Sequence, residues 1–267
     1  MNKKKGQCVT ALVGSLLALT VASSARAEDP VVYTRVAQWQ IARPSWPGYE
    51  KDLKKNTIPV MEKLLADGVI LEFGADRTSV HTADGYTHST WFTAKSLANL
   101  EKALDTLVES ETKLTEVERR KQDTDFSGTK HADLILRSVS FKNRTVKTEK
   151  GYGIVAVQKL LPGKAQEYQD LFDKYSKPVL EQLYKDGAIT AYGVDVELVH
   201  TGDPGLRFYW HVVPDAEALD KVEAAYETDR QKRSPEERRA IARAFADLRD
   251  PAGHRDSMAS IVYYSAK

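Results

Sequence analysis

The chain contains almost no cysteine: Cys8 is the only one among its 267 residues. Because Cys8 precedes an apolar run typical of a signal peptide, we expect the mature chain to lack disulfides, a thiol nucleophile and thiolate metal sites. The chain also lacks an excess of either charge. Its net charge is +1, and removing the four basic residues found among the first 27 residues leaves −3. Binding to nucleic acid requires a basic surface, so the sequence predicts no nucleic-acid partner.

Long apolar runs are missing beyond the first 27 residues. The run 9–22 has about 14 residues, fewer than the roughly 20 that a membrane-spanning helix needs. Lysines at 3–5 precede it, and Ala25-Arg26-Ala27 has the small-x-small pattern that a signal peptidase accepts. The sequence therefore predicts a signal peptide over 1–27, a periplasmic or secreted protein, and no membrane span.

Several motifs of cofactor and metal enzymes are also absent. The chain has no Gly-rich phosphate loop, no nucleophile elbow and no metalloprotease helix. None of the six histidines lies clearly on a predicted helix, which argues against haem. We therefore expect no cofactor and no metal site.

The chain does contain a long internal repeat. Residues 59–91 align without gaps with 178–210, and 14 of the 33 positions are identical, ending in Val-His-Thr and a tryptophan. Such a period is too long for a solenoid unit, so each copy should be a whole domain. The pattern predicts a first repeat over 28–141, a linker over 142–150 and a second repeat over 151–267.

Each copy shows the order β-α-β-β-α-β, the ferredoxin-like split unit. A proline interrupts the first helix of each copy, at Pro59 and Pro178, and Asp-Gly ends each of these helices. The segment 234–248 has the signature of a capped helix. An open sheet covered by helices on one face needs a partner for the other face. The predicted fold is thus α+β, with two ferredoxin-like units packed sheet to sheet as an intrachain pseudo-dimeric α/β barrel.

This element order, the Asp-Gly helix ends and the Val-His-Thr hairpins resemble the dimeric α/β barrel superfamily in tandem form. The resemblance covers almost the whole mature chain but identifies no subfamily. Members include antibiotic-biosynthesis-type monooxygenases, chlorite dismutases and dye-decolourising peroxidases. It implies a pocket between each sheet and its helices or inside the barrel, with chemistry that ranges from cofactor-free oxygenation to haem reactions.

Histidines that recur in both copies are the candidate catalytic residues. In each His-x-Asp pair the aspartate could fix the histidine tautomer for proton transfer, because residues two apart on a strand share a face. The alternative is that both side chains bind loop amides. The hairpin histidines could act as bases or bind the turn backbone, which the pattern favours. The catalytic candidates are His131, Asp133, His254, Asp256, His81 and His200.

Aromatic and polar residues on the strands are the candidate ligand-binding set. Asp76 and Asp195 stand inside predicted strands, where aspartate is disfavoured; we expect them to protect an edge strand, or else to point into a cavity. If one half keeps a pocket, the second half, richer in aromatics, is favoured. The ligand-binding candidates are Trp91, Trp210, Tyr192, Asp195, Phe208 and His211.

Two functions remain open at this point. The first is binding of a small apolar or aromatic molecule, with cofactor-free monooxygenase-like or isomerase-like chemistry. The second is a non-catalytic binding or structural role in the cell envelope. Whether the protein is an enzyme is left open, as is homo-oligomerisation beyond the pseudo-dimer.

Overall fold

The computed structural model describes residues 30–82, 85–120, 130–199 and 204–267. The first half contains strands β1 (Tyr33–Gln40), β2 (Glu72–Thr78), β3 (His88–Ala94) and β4 (Lys130–Asn143), with helices α1 (Trp46–Asp52), α2 (Ile58–Ala66) and α3 (Leu97–Thr112). The second half contains strands β5 (Val146–Thr148), β6 (Tyr152–Lys159), β7 (Ala191–Glu197), β8 (Leu206–Val213) and β9 (Arg255–Ala266), with helices α4 (Ala165–Tyr175), α5 (Lys177–Lys185), α6 (Ala216–Gln231) and α7 (Pro235–Ala246).

Eight strands form one closed antiparallel barrel. Their order is β2-β3-β1-β4-β7-β8-β6-β9, and pairing of β9 with β2 closes the ring. Each half contributes four adjacent strands, and the halves join edge to edge at two seams, β4–β7 and β9–β2. The expected mixed α and β barrel is confirmed. The two sheets face each other as opposite walls of one hydrogen-bonded cylinder.

The strand registers of the two halves correspond at the offset of the sequence repeat. In the first half Gly74 lies opposite Trp91, and in the second half Gly193 lies opposite Trp210. A Cβ atom added to Gly74 would lie 2.3 Å from the Trp91 ring, and one on Gly193 would lie 2.6 Å from the Trp210 ring. Each glycine therefore makes room for the indole that crosses it.

The helices cover the outer face of the barrel. Alternate residues such as Phe73 and Ala75 pack against α2 and α3, so their neighbours Glu72 and Gly74 point into the barrel interior. A second apolar cluster joins the helices α4, α5 and α6 to β7 and β8. The core is therefore divided into two helix-covered layers with the barrel interior between them.

Both prolines mark an interruption of the first helix, as the sequence predicts. A π-turn over Leu53–Thr57 separates α1 from α2, and Pro59 lies in the first turn of α2. Pro178 likewise lies in the first turn of α5, just after the break at Ser176. Proline lacks the N–H that an interior turn needs, but the first turn leaves that N–H without a helical partner anyway.

The predicted helix ends are also confirmed. Gly68 (φ +72°) and Gly187 (φ +81°) take the left-handed conformation that ends α2 and α5. At the start of α7, Ser234 and Glu237 form a reciprocal capping box. Among the described residues, no helix has both the length and the apolar run needed to cross a bilayer.

Candidate functional site

An internal cavity of about 50 Å³ lies in the first half, between the sheet and its helices. Aliphatic and aromatic side chains of α2, α3, β2 and β3 form most of its wall, and Tyr263 of β9 closes one side. Trp91, a predicted ligand-binding residue, is part of the wall. Arg35 of β1 is the charged residue of this lining. The cavity is therefore apolar, with one cation at its boundary.

Arg35 connects the cavity to one of the predicted His-Asp pairs. Its guanidinium donates to Asp133 Oδ1 at 2.9 Å, and the same oxygen lies 3.2 Å from His131 Nε2. The His131 ring stacks on Trp39 with centroids 3.7 Å apart. The structure thus arranges Arg35, Asp133 and His131 in a row that runs from the cavity to the surface.

The exposure of this row to water limits its contribution to stability. The side chains of Arg35, Asp133 and His131 are 23%, 41% and 33% exposed. Ion pairs this accessible to water are typically worth about 0–1 kcal/mol. The main effect of these contacts is to orient His131, because the Asp133 carboxylate fixes the position of the imidazole and the stacked Trp39 indole fixes its plane.

The second half keeps the His-Asp pair but not the cavity arrangement. His254 Nε2 lies 3.0 Å from Asp256 Oδ1, and both side chains are largely exposed. Ile154 takes the register position of Arg35, so the pair has no arginine from that strand.

Aromatic side chains explain why the cavity lies in the first half. Tyr209 occupies the register position of Thr90, and its ring packs 5.0 Å from Phe172 and 5.7 Å from Tyr168. The larger rings fill the space that Thr90 leaves open in the first half. The expectation that the aromatic second half would keep the pocket is therefore wrong for this cavity.

The hairpin histidines do not join the Arg35 row. His81 is exposed and stacks on Trp46, with ring centroids 5.1 Å apart. Its repeat counterpart, His200, lies outside the described residues.

A buried histidine that was not among the candidates lies next to this hairpin. The side chain of His88 is only 1% exposed; Nδ1 lies 3.0 Å from Thr87 Oγ1 and Nε2 lies 3.5 Å from Glu50 Oε1. Burial lowers the pKa of His88 to about 4, so the ring is neutral near pH 7. The sequence gives one indication that His88 differs from the other histidines: the second copy has Arg207 at the equivalent position, so this histidine is not part of the repeat.

Asp195 lies inside the barrel rather than on an edge. Strand β7 pairs on both sides, with β4 and with β8, so the predicted edge protection is wrong. Ser138 Oγ donates to Asp195 Oδ1 at 2.5 Å, and Trp210 Nε1 donates to Oδ2 at 2.6 Å. Burial raises the pKa of Asp195 to about 6 despite these two donors.

Asp76 also lies inside the barrel, but the hydrogen bonding of its carboxylate is less complete than that of Asp195. Strand β2 also pairs on both sides, with β3 and β9, so this aspartate does not protect an edge either. Its Oδ1 atom is buried and has no hydrogen-bond partner within the described residues. Burial raises the pKa of Asp76 to about 7.

Glu72 is the third interior acid, and it was missed in the sequence. Its carboxyl accepts from Tyr264 Oη at 2.7 Å, from Thr93 Oγ1 at 3.1 Å and from Asn143 Nδ2 at 3.5 Å. Burial, with a smaller contribution from the charge of Asp195, raises the pKa of Glu72 to about 7. Strand alternation places Glu72 on the face of Asp76, a signal that could have identified it.

The remaining ligand-binding candidates lie away from the cavity. Tyr192 is fully buried in the helix-covered layer of the second half, opposite His211, whose pKa burial lowers to about 4. Phe208 pairs with Asp195 and shares the strand face of Trp210. The structure therefore distributes this predicted set over three regions. Within the described ranges, no cluster of three or more histidine, cysteine or acidic side chains could hold a metal ion.

Comparison with known proteins supports the fold. No protein-family model and no curated protein sequence matches the chain. A candidate monooxygenase from Fusobacterium nucleatum matches with a TM-score of 0.62 and 10% identity, covering 89% of this chain and 95% of its own. A candidate monooxygenase from Lactobacillus acidophilus matches with a TM-score of 0.57 and 10% identity, covering 88% of this chain and 96% of its own. At such identities the likeness shows the fold alone: a closed barrel of strands covered by helices.

Proposed function

We propose that the protein binds a small, mainly apolar or aromatic molecule in the first-half cavity and transfers a proton through His131. The observation that supports this proposal is the contact of Arg35 with both the cavity and Asp133. A cation beside an apolar cavity attracts a ligand with one acidic oxygen, such as a phenol. Arg35 stabilises the deprotonated oxygen, and the proton leaves along the row through the Asp133 carboxylate to His131 at its surface end.

Proton removal from a hydroxyaromatic compound or an enol raises electron density on its carbon skeleton. This activation is the first step of cofactor-free oxygenation and also of isomerisation through an enolate. The structural likeness to candidate monooxygenases is compatible with the former. We therefore propose monooxygenase-like or isomerase-like chemistry of this kind for the first half.

The size of the cavity requires that its wall move when a ring enters. An engineered cavity of about 150 Å³ binds benzene, roughly three times the volume present here. Met61 and Leu107 belong to the wall, and methionine in particular adapts its shape at low cost. We expect these two side chains to rotate on binding.

Binding is tested by comparing phenol with toluene, which have similar shapes but differ in the acidic oxygen. Saturation-transfer NMR on the wild type should show a preference for phenol, and Arg35→Met should abolish that preference while leaving toluene binding unchanged. Equal binding of both compounds to the wild type would contradict the role of Arg35.

Catalysis is tested with a pair of matched variants. Oxygen uptake and product isomerisation are measured over a series of substituted phenols and enolisable ketones for the wild type, His131→Gln and His254→Gln. Loss of a general base typically lowers a rate by about 10²–10⁴-fold, so His131→Gln should lose turnover with its ligand affinity retained. His254→Gln, whose pair has no arginine from β6, should keep it. Equal loss in both variants would exclude a specific role for His131.

A non-catalytic binding or structural role is the second candidate, and the barrel interior favours it. Glu72, Tyr264, Trp91 and Trp210 occupy the space enclosed by the strands, and the indoles lie directly over Gly74 and Gly193. An interior filled in this way stabilises a fold without admitting a substrate. Complete absence of turnover, with phenol binding intact, would favour this role.

Two further proposals concern the chain as a whole. The chain is exported after cleavage near Ala27, which N-terminal sequencing of the protein recovered from its host would test. The two halves are tandem copies of one ferredoxin-like unit that replace the two subunits of a dimer, and the matched registers of Gly74–Trp91 and Gly193–Trp210 support this view.

A further inference from the structure

A second and larger concavity lies at one end of the barrel, beside the β4–β7 seam. It is an open cleft of about 540 Å³, within the range of roughly 300–1,000 Å³ that is typical of small-molecule sites. Apolar side chains form its floor and rim: Val32 and Phe141 are buried, Leu71 is half-buried and Val31 is exposed. The cleft lies apart from the first-half cavity and shares no lining residue with it. A ligand in the cleft would therefore be additional to the small molecule proposed for that cavity.

The other seam shows that such a region can be covered by protein. There, the short strand β5 pairs with the end of β9, with Val146 opposite Ala266. At the β4–β7 seam the corresponding end of β4, at Phe141 and Asn143, borders the cleft instead. The cleft is therefore an apolar surface that no strand of the described chain covers.

Two lysines lie beside this apolar floor. Lys95 and Lys142 belong to the lining, and within the described part of the chain no acidic group pairs with Lys95. Among the described residues, the acidic partner of Lys142 Nζ is Glu181 Oε1, at 4.0 Å. Behind the wall, the guanidinium of Arg144 lies 4.4 Å from the centre of the Tyr184 ring and holds this ring in place.

Hydrogen bonds hold the bottom of the cleft. Tyr184 Oη donates to the carbonyl oxygen of Asn143 at 2.5 Å, and the Asn143 side-chain amide points towards Glu72 inside the barrel. These contacts give the cleft a defined floor rather than a loose apolar surface.

We propose that this cleft binds a free amphipathic monocarboxylate of medium length. The apolar tail lies on Val32, Leu71 and Phe141, and the carboxylate binds between Lys95 and Lys142. Burial of the tail supplies most of the affinity, because it removes apolar surface from water. The two ammonium groups select an acid over a neutral compound with the same tail.

The test uses decanoate and its neutral analogue decanamide, titrated by calorimetry into the mature chain below the concentration at which decanoate aggregates. We expect decanoate to bind one to one and more tightly than decanamide. In the double variant Lys95→Met/Lys142→Met, decanoate should bind about tenfold more weakly, because each partly exposed ion pair is worth up to about fivefold. Decanamide binding should not change.

Two control variants locate the site. Lys102→Met removes one positive charge from the exposed face of α3, outside the cleft, and should leave both affinities unchanged. Val31→Trp adds bulk at a residue that is 51% exposed on the cleft, so it should weaken both ligands more than tenfold without unfolding the chain, as circular dichroism would verify. Equal affinity of the wild type for both ligands would overturn the proposal. Decanoate binding that the double variant leaves unchanged would also overturn it. So would a protein that binds anionic vesicles but does not bind free decanoate.

Discussion

Replacing Glu72 by glutamine should make the protein more stable at pH 8. Glu72 is 1% exposed and lies inside the barrel, where burial raises the pKa of its carboxyl from 4.5 to about 7. The amide has almost the same shape as the carboxyl. Its oxygen can accept from Tyr264, and its NH₂ group can donate to Thr93 Oγ1, which lies 2.8 Å from Thr34 Oγ1 and can donate there.

The magnitude is set by the difference between the folded and unfolded pKa. At 1.36 kcal/mol per pH unit, ionising Glu72 in the barrel costs about 3 kcal/mol. Between pH 4.5 and 7 the unfolded chain releases this proton while the folded chain retains it. The stabilising contribution of the protonated form is therefore lost as pH rises, and roughly 2 to 3 kcal/mol of the loss falls between pH 5 and pH 8.

Urea unfolding, followed by tryptophan fluorescence at pH 5 and pH 8, measures this effect. Glu72→Gln should exceed the wild type by about 3 kcal/mol at pH 8 and by about 1 kcal/mol at pH 5. Glu101→Gln, an exposed substitution on α3, serves as the control and should match the wild type. A Glu72→Gln variant that is less stable at both pH values, or that keeps the full pH dependence of the wild type, would refute the reasoning.

Local geometry at a glycine and at a helix cap gives two further stability predictions. Gly193→Ala places a Cβ 2.6 Å from the Trp210 ring and 2.9 Å from a backbone oxygen. Thermal unfolding should therefore show that the variant is less stable by about 1–3 kcal/mol. Gly153→Ala is the matched control: its added Cβ meets its nearest neighbour at 3.8 Å, so it should unfold near the wild-type temperature. Ser234→Ala removes half of the capping box and should cost about 1 kcal/mol in urea unfolding, whereas an unchanged midpoint would mean that α7 is stabilised by its packing alone.

Features that depend on neighbours along the chain could be predicted from the sequence. The glycines after each Asp, the two helix prolines and the capping box at Ser234 act over a few residues, so their consequences are visible in the local pattern. The element order that leads to the barrel is also local information, repeated twice.

Features that depend on pairing between distant strands could not be predicted in this way. Whether Asp195 lies on an edge depends on β7 meeting β4 across the seam, where a register shift occurs between Ser138 and Ser140. The contact of Arg35 with Asp133 joins positions 98 residues apart and has no counterpart in the second copy. The location of the cavity depends on the sizes of side chains that differ between the copies, such as Thr90 against Tyr209 and Leu53 against Phe172.

Closure of the barrel by β9 has a consequence for the order of events during folding. The last strand of the chain pairs with β2, and its residue Tyr263 forms one wall of the first-half cavity. The cavity of the N-terminal half is therefore incomplete until the C-terminal strand has been synthesised and has docked. Because these contacts span 181 to 194 residues, their formation should be among the slowest steps of folding. Until then, the edge of β2 remains open to pairing with other chains.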